Sequence, residues 1–105
     1  MDAPRQLHIA GTYTNWYSTV TIDGRTITPD RSQEVFDHSP DGFSWGFGGS
    51  GPAQLALAIL LEAGVTTERA VQLHQRFKAE FLAPLDPDGP FVMHLDVVGW
   101  AHAQG

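Results

Sequence analysis
Gly46-Phe47-Gly48-Gly49-Ser50-Gly51-Pro52-Ala53-Gln54-Leu55-Ala56-Leu57-Ala58-Ile59-Leu60-Leu61-Glu62-Ala63-Gly64 is the stretch on which the reading of this chain turns. Pro52 stands where a first helical turn accepts proline, because the N–H it lacks would have no intrahelical partner there. Ser50 or Gly51 suits the N-cap, and Gly64 suits the stop. Between Ala53 and Ala63 nearly every position is apolar. A helix without a polar face, yet far short of the roughly 20 residues that cross a bilayer, belongs inside a core. The alanines at 53, 56, 58 and 63 let neighbouring backbones come close.

Outward from that helix the periods change. Downstream, Thr66 and Thr67 cap a second helix predicted to run to about Ala83, with Glu68 in its first turn. Ala70, Val71, Leu73, His74, Phe77 and Phe81 form its apolar stripe. Pro84 and the turn-forming Asp86-Pro87-Asp88-Gly89-Pro90 end it. Phe91–Leu95 reads as a strand, and Asp96 caps a short final helix carrying Val97, Val98 and Trp100. Upstream, Leu7 and Ile9 alternate with polar or small neighbours, as do Val20 and Ile22. Asp23-Gly24, between Thr19–Ile22 and Arg25–Thr28, is a two-residue hairpin turn. Residues 30 to 40 show no clear period and are expected to be an ordered connection. The fold class predicted is α+β: a small antiparallel sheet with a hairpin, packed on a central buried helix, a second amphipathic helix and a short C-terminal helix.

Composition narrows the possible roles. The chain of 105 residues has room for one domain, and 42% hydrophobic residues suffice for a core. There is no cysteine, which removes disulfides, thiolate zinc sites and a cysteine nucleophile. Residues 1 to 6 lack the basic-then-apolar build of a signal peptide, and the longest apolar run is too short for a membrane span, so a soluble cytoplasmic protein is expected. Six basic residues against twelve acidic ones give a formal charge of −6. That disfavours direct binding to a phosphate backbone and favours a basic protein partner, including one whose nucleic-acid groove an acidic protein occupies.

The segment from Gly42 to Pro52 holds five glycines and three aromatics in eleven residues. Glycine loses the most chain entropy on folding, so such a loop requires compensating contacts, and the alternating Phe43, Trp45 and Phe47 are expected to supply them. The longer string Ser39-Pro40-Asp41-Gly42-Phe43-Ser44-Trp45-Gly46-Phe47-Gly48-Gly49-Ser50-Gly51-Pro52-Ala53-Gln54-Leu55-Ala56-Leu57-Ala58 resembles the signature of a small bacterial and phage family, a domain of unknown function. Val20–Gly24 and Arg76-Phe77-Lys78 extend the resemblance over roughly residues 20 to 85. It implies phage, plasmid and actinobacterial settings and a mobile-element accessory role.

Several motifs fall short of chemistry. Gly46, Gly48 and Gly51 spell G-x-G-x-x-G, but a helix rather than a strand follows the first helix, which argues against a dinucleotide site. No lysine follows the glycines, so there is no Walker loop. Ser50 sits in G-G-S-G-P rather than the G-x-S-x-G of a nucleophile elbow. The histidines at 8, 38, 74, 94 and 102 show no paired helix-face spacing, and no metal or other cofactor is expected. His74, on its apolar stripe, reads as a hydrogen-bonded core residue.

Two functional expectations follow. The first is a non-enzymatic protein-binding module that inhibits a host defence complex in the manner of an anti-CRISPR protein. Its candidate surface is Trp16, Tyr17, Asp30, Glu34, Asp37 and Asp41, with the acids gathered on one face. The alternative is a small-ligand or anion site at Gly48, Gly49, Ser50 and Gly51, using free N–H groups at the helix start.

Overall fold
The alternation in the first thirty residues becomes the strands of one antiparallel sheet. The computed structural model describes residues 5–14, 17–39 and 42–105. Strand β1 (Leu7–Thr14) pairs on one side with β2 (Tyr17–Ile22) and on the other with β4 (Phe91–Leu95), while β3 (Arg25–Ile27) lies outside β2. The strand order is β3-β2-β1-β4. The register aligns Ile9 with both Ile22 and Met93, and Val20 with Ile27. One face of each strand therefore delivers Leu7, Ile9, Val20, Ile22, Ile27 and Phe91 to the core. The other face carries His8, Thr12, Thr14, Thr26, Val92 and His94, all exposed.

The hairpin turn forms as predicted. Asp23 and Gly24 have φ of 52° and 80°, the two positive values of a type I′ turn. Asp23 also ties the turn to β1: its N–H donates to the His8 carbonyl at 2.8 Å, and its carboxylate accepts from the His8 N–H at 2.9 Å. That N–H, and after it the Arg5 guanidinium at 3.0 Å, hold the Asp23 carboxyl below its usual range. A carboxylate with a depressed folded-state pKa stabilises the protein above the unfolded value, and the contribution fades as pH falls below about 4. Asp23→Asn keeps the turn chemistry and removes only the charge. Urea titrations are expected to find it less stable than the parent at pH 7 and equal to it near pH 2. A gap that persists at pH 2 would assign the role to the amide-compatible geometry instead.

Against the inner face of the sheet lies α2 (Ser50–Glu62), buried at every position from Gly51 to Leu61. The predicted central helix is thus present, beginning at Ser50, a position expected to be its cap, and ending at Glu62 where Ala63 was expected. Its N-cap is Gly49, one residue earlier than expected, and no side chain caps it. The second helix, α3 (Thr67–Phe77), is capped by the Thr66 hydroxyl and buries Ala70, Leu73, His74 and Phe77. Val71 departs from the expected stripe and is exposed.

The last turn of that helix differs from prediction. Lys78–Leu82 is a π-turn, closed by the Ala83 N–H on the Lys78 carbonyl at 2.9 Å. At about 100° per residue an α-helix would place Leu82 some 140° away from Phe77. The wider turn brings it back, and both are fully buried. Phe77, Phe81 and Trp100 then meet in a three-ring cluster with centroids 4.9 to 5.7 Å apart. Trp100 belongs to α4 (Val97–Ala103), whose N-cap is Asp96 as predicted.

The segment expected to be an ordered connection contains a helix, α1 (Asp30–Val35). It buries only Ser32, so it has no apolar period to read. What holds it is polar: the Ser32 hydroxyl donates to the Pro29 carbonyl at 2.8 Å and accepts from the Gln54 amide at 2.7 Å. Among the described residues no helix is long and apolar enough to cross a membrane.

Candidate functional site
Gln54 is the polar residue that the apolar helix has to accommodate, and the local structure is arranged around it. Its side chain is fully buried. Oε1 accepts from the backbone N–H groups of His38 at 2.7 Å and Ser39 at 3.1 Å. Nε2 donates to the Ser32 hydroxyl and to the Phe36 carbonyl at 3.1 Å. Two donors and two acceptor sites are all used, which is the full capacity of the amide. One helical side chain therefore pins the stretch from Ser32 to Ser39 against α2.

The glycine and aromatic loop is used in the same inward manner. Trp45 is fully buried and donates its indole N–H to the Gly89 carbonyl at 2.9 Å. Phe91 meets it edge-on at 4.8 Å, and Tyr13 stacks on it at 4.5 Å. Phe43 is buried, and its carbonyl accepts from the Ser18 hydroxyl at 2.6 Å. Phe47 breaks the expected alternation and is half exposed, because the chain turns at Gly46 and no longer follows the extended path of Phe43 to Trp45.

For the anion-site candidates the placement is mixed. Gly51 is buried with Ser44 against it, Gly49 lies under the Phe47 ring, and Gly48 and Ser50 face solvent. The Lys78 ammonium donates to the Gly48 carbonyl at 3.3 Å. A cation is thus bound to the loop's carbonyl.

A well-formed concavity lies elsewhere. A cavity of about 280 Å³ is lined by Arg5, Asp23, Arg25, Glu62, Asp96 and Val98, among others. Its guanidiniums are already paired, Arg5 with Asp23 at 3.0 Å and Arg25 with Glu62 at 3.2 Å. Arg31 joins Glu62 at 3.4 Å. Such exposed pairs contribute little stability, and among the described residues that line the cavity both arginines are paired.

The protein-binding candidates are partly gathered. Asp30 and Glu34 lie at i and i+4 on α1, hence on one side of it, and Asp37 follows two residues past its end. All three are exposed. Tyr17 is exposed at the start of β2. Trp16 and Asp41 lie outside the described residues. Between Glu34 and Asp37 stands Phe36, which the sequence reading passed over. Its ring is 52% exposed and stacks on His38 at 4.2 Å. The signal was available: a phenylalanine amid acids in a segment without an apolar period has no core to enter.

His38 in turn meets His74. Their Nε2 atoms are 2.9 Å apart, and the His74 Nδ1 lies 2.7 Å from the Val71 carbonyl. Burial, then the neighbouring His74 and Lys78, hold the His38 imidazole below its usual pKa, against a smaller opposing pull from Asp37. His74 is the hydrogen-bonded core histidine expected, but its partner across 36 positions of sequence was not foreseen.

A family model described as a family of unknown function, DUF6166, matches residues 11–103. The chain belongs to that family. No curated protein and no solved structure matches the DUF6166 chain. The matched range of the DUF6166 chain includes both the Gln54 anchor and the packed loop around Trp45.

Proposed function
We propose that the protein is a non-enzymatic protein-binding module that seats Phe36 and its acidic surroundings on a basic surface of a larger host complex. The observation that carries this reading is the half-exposed Phe36 ring on a backbone held from within by Gln54. An aromatic anchor with a charged rim is the usual composition of an interaction hot spot. Fixing the anchor beforehand lowers the entropy lost on binding. Asp30, Glu34 and Asp37 add a local negative field on a chain whose formal charge is −6, and such a field steers encounter with basic partners. The phage and plasmid settings that the resemblance of residues 39–58 implies direct the proposal to a host defence complex with a basic nucleic-acid groove.

The test is affinity capture from host lysate, with retained proteins identified by mass spectrometry, using the native protein, a D30K/E34K/D37K variant and Phe36→Ala. One complex retained by the native protein, released by raised salt and lost with charge reversal supports the reading. Phe36→Ala is expected to weaken binding at least about tenfold, the size of a modest hot spot. Equal retention by all three proteins would overturn it.

A further inference from the structure
The two imidazoles that meet between the α1–α2 connection and α3 are arranged as ligands as well as hydrogen-bond partners. The Val71 carbonyl only accepts, so the His74 Nδ1 facing it at 2.7 Å carries the proton. That leaves the lone pair of His74 on Nε2, the atom turned toward His38. A backbone carbonyl on the far ring nitrogen is the usual means of fixing a metal-ligating histidine in the required tautomer. The His38 side is equally constrained. Its backbone N–H is held by Gln54 at 2.7 Å, and its ring lies against Phe36 at 4.2 Å.

Spacing adds a second argument. Two imidazole nitrogens bound at about 2.0–2.1 Å to one ion stand about 2.9 Å apart when the angle at the ion is near 90°, and about 3.3 Å apart when it is tetrahedral. The observed separation of 2.9 Å, set by the hydrogen bond between the rings, is one from which both nitrogens can reach a single ion. We infer that His38 and His74 form a two-histidine site for a divalent late transition-metal ion, copper(II) or nickel(II) in tetragonal geometry, with zinc accommodated by slight ring separation. The ion takes the place of the proton between the two Nε2 atoms, that proton moving through solvent to the His38 Nδ1 so that both imidazoles bind as neutral ligands, and water completes the coordination.

His38 is only partly buried and Gln75, whose amide lies 3.4 Å from the His74 Nε2, is exposed, so the site is reachable from solvent. The charged neighbours of His38 are Lys78, which opposes a dication, and Asp37, which favours one. Among the described residues no cluster of three or more histidines, cysteines or carboxylates exists, so this is a site of moderate affinity that follows the Irving–Williams order.

A rival pair provides the control. His8 and His94 are cross-strand neighbours on the exposed sheet face, with rings stacked at 4.9 Å and 27°. Their rings stack, whereas those of His38 and His74 are tilted by 44° with the Nε2 atoms 2.9 Å apart.

The experiment is calorimetric titration of the full chain with copper(II), nickel(II) and zinc(II), with magnesium as blank, on the parent, His38→Gln and His94→Gln. Expected is one ion per chain, tightest for copper, weakened at least about tenfold in His38→Gln and unchanged in His94→Gln. Electron paramagnetic resonance of the parent copper complex is expected to show coupling to two imidazole nitrogens, a readout that does not depend on the folding of any variant. Absence of binding at millimolar ion, binding unchanged in a folded His38→Gln, or a spectrum with fewer than two imidazole nitrogens would each overturn the inference.

Discussion
Replacing Gln54 with leucine is expected to cost about 3–4 kcal/mol of folding stability, although leucine is close in size and the helix around it is apolar. The loss comes from partners left behind. The His38 and Ser39 N–H groups, the Phe36 carbonyl and the Ser32 hydroxyl all bond to this amide. A buried polar group left without a partner costs about 1–3 kcal/mol. Ser32 keeps its bond to the Pro29 carbonyl, so the larger share falls on the His38 and Ser39 N–H groups and the Phe36 carbonyl, where water replaces only part of the loss. Chemical denaturation measures the total, and hydrogen exchange locates it. Amides from Ser32 to Ser39 are expected to exchange much faster in the variant while those of α3 change little. A loss below about 1 kcal/mol would show that the network is dispensable.

Gly46→Ala is the second substitution with a large expected effect. Gly46 has φ of 88°, a region that costs an L-residue about 1–2 kcal/mol. A Cβ there would also run into the backbone of Pro87 and stand 2.7 Å from the Leu85 carbonyl. The residue has no room to shift, because its N–H is bonded to the Leu82 carbonyl at 2.9 Å. Backbone strain and overpacking together amount to about 3 kcal/mol. In a domain of this size that lowers the melting temperature by more than about 10 °C. The Trp45 indole bond to Gly89 depends on the same approach of chains, so loss of Trp45 burial, read by fluorescence, is expected to accompany the drop. Unchanged melting would mean that residues 85 to 90 rearrange freely.

These two positions also show why parts of the molecule were legible in advance. The hairpin at Asp23-Gly24, the buried α2 and the Asp96 cap each follow from a local rule: a turn dipeptide, an unbroken apolar run, a capping side chain. Helix α1 obeys no local rule, since it is held by a glutamine 22 positions beyond Ser32. The π-turn at Lys78–Leu82 is equally non-local, being fixed by the need to bury both Phe77 and Leu82. At the surface, residue type alone names the acids Asp30, Glu34 and Asp37, and Phe36 was legible beside them as an aromatic in a segment with no apolar period, although its docking through the backbone was not. The meeting of His38 with His74 depends on how α3 crosses α2, which spacing in sequence does not encode.

The strand order has a consequence for how the protein is made. β1 is an interior strand, yet its second neighbour is β4, and Leu7 pairs with a residue 88 positions along the chain. During synthesis the β1–β2–β3 meander is complete long before Phe91 emerges, so the nascent sheet exposes the row of backbone groups that β4 will later cover. Open rows of that kind recruit other strands, and closing so long a loop slows folding. The vulnerable interval of this protein is the one between the emergence of its first helix and that of its last strand.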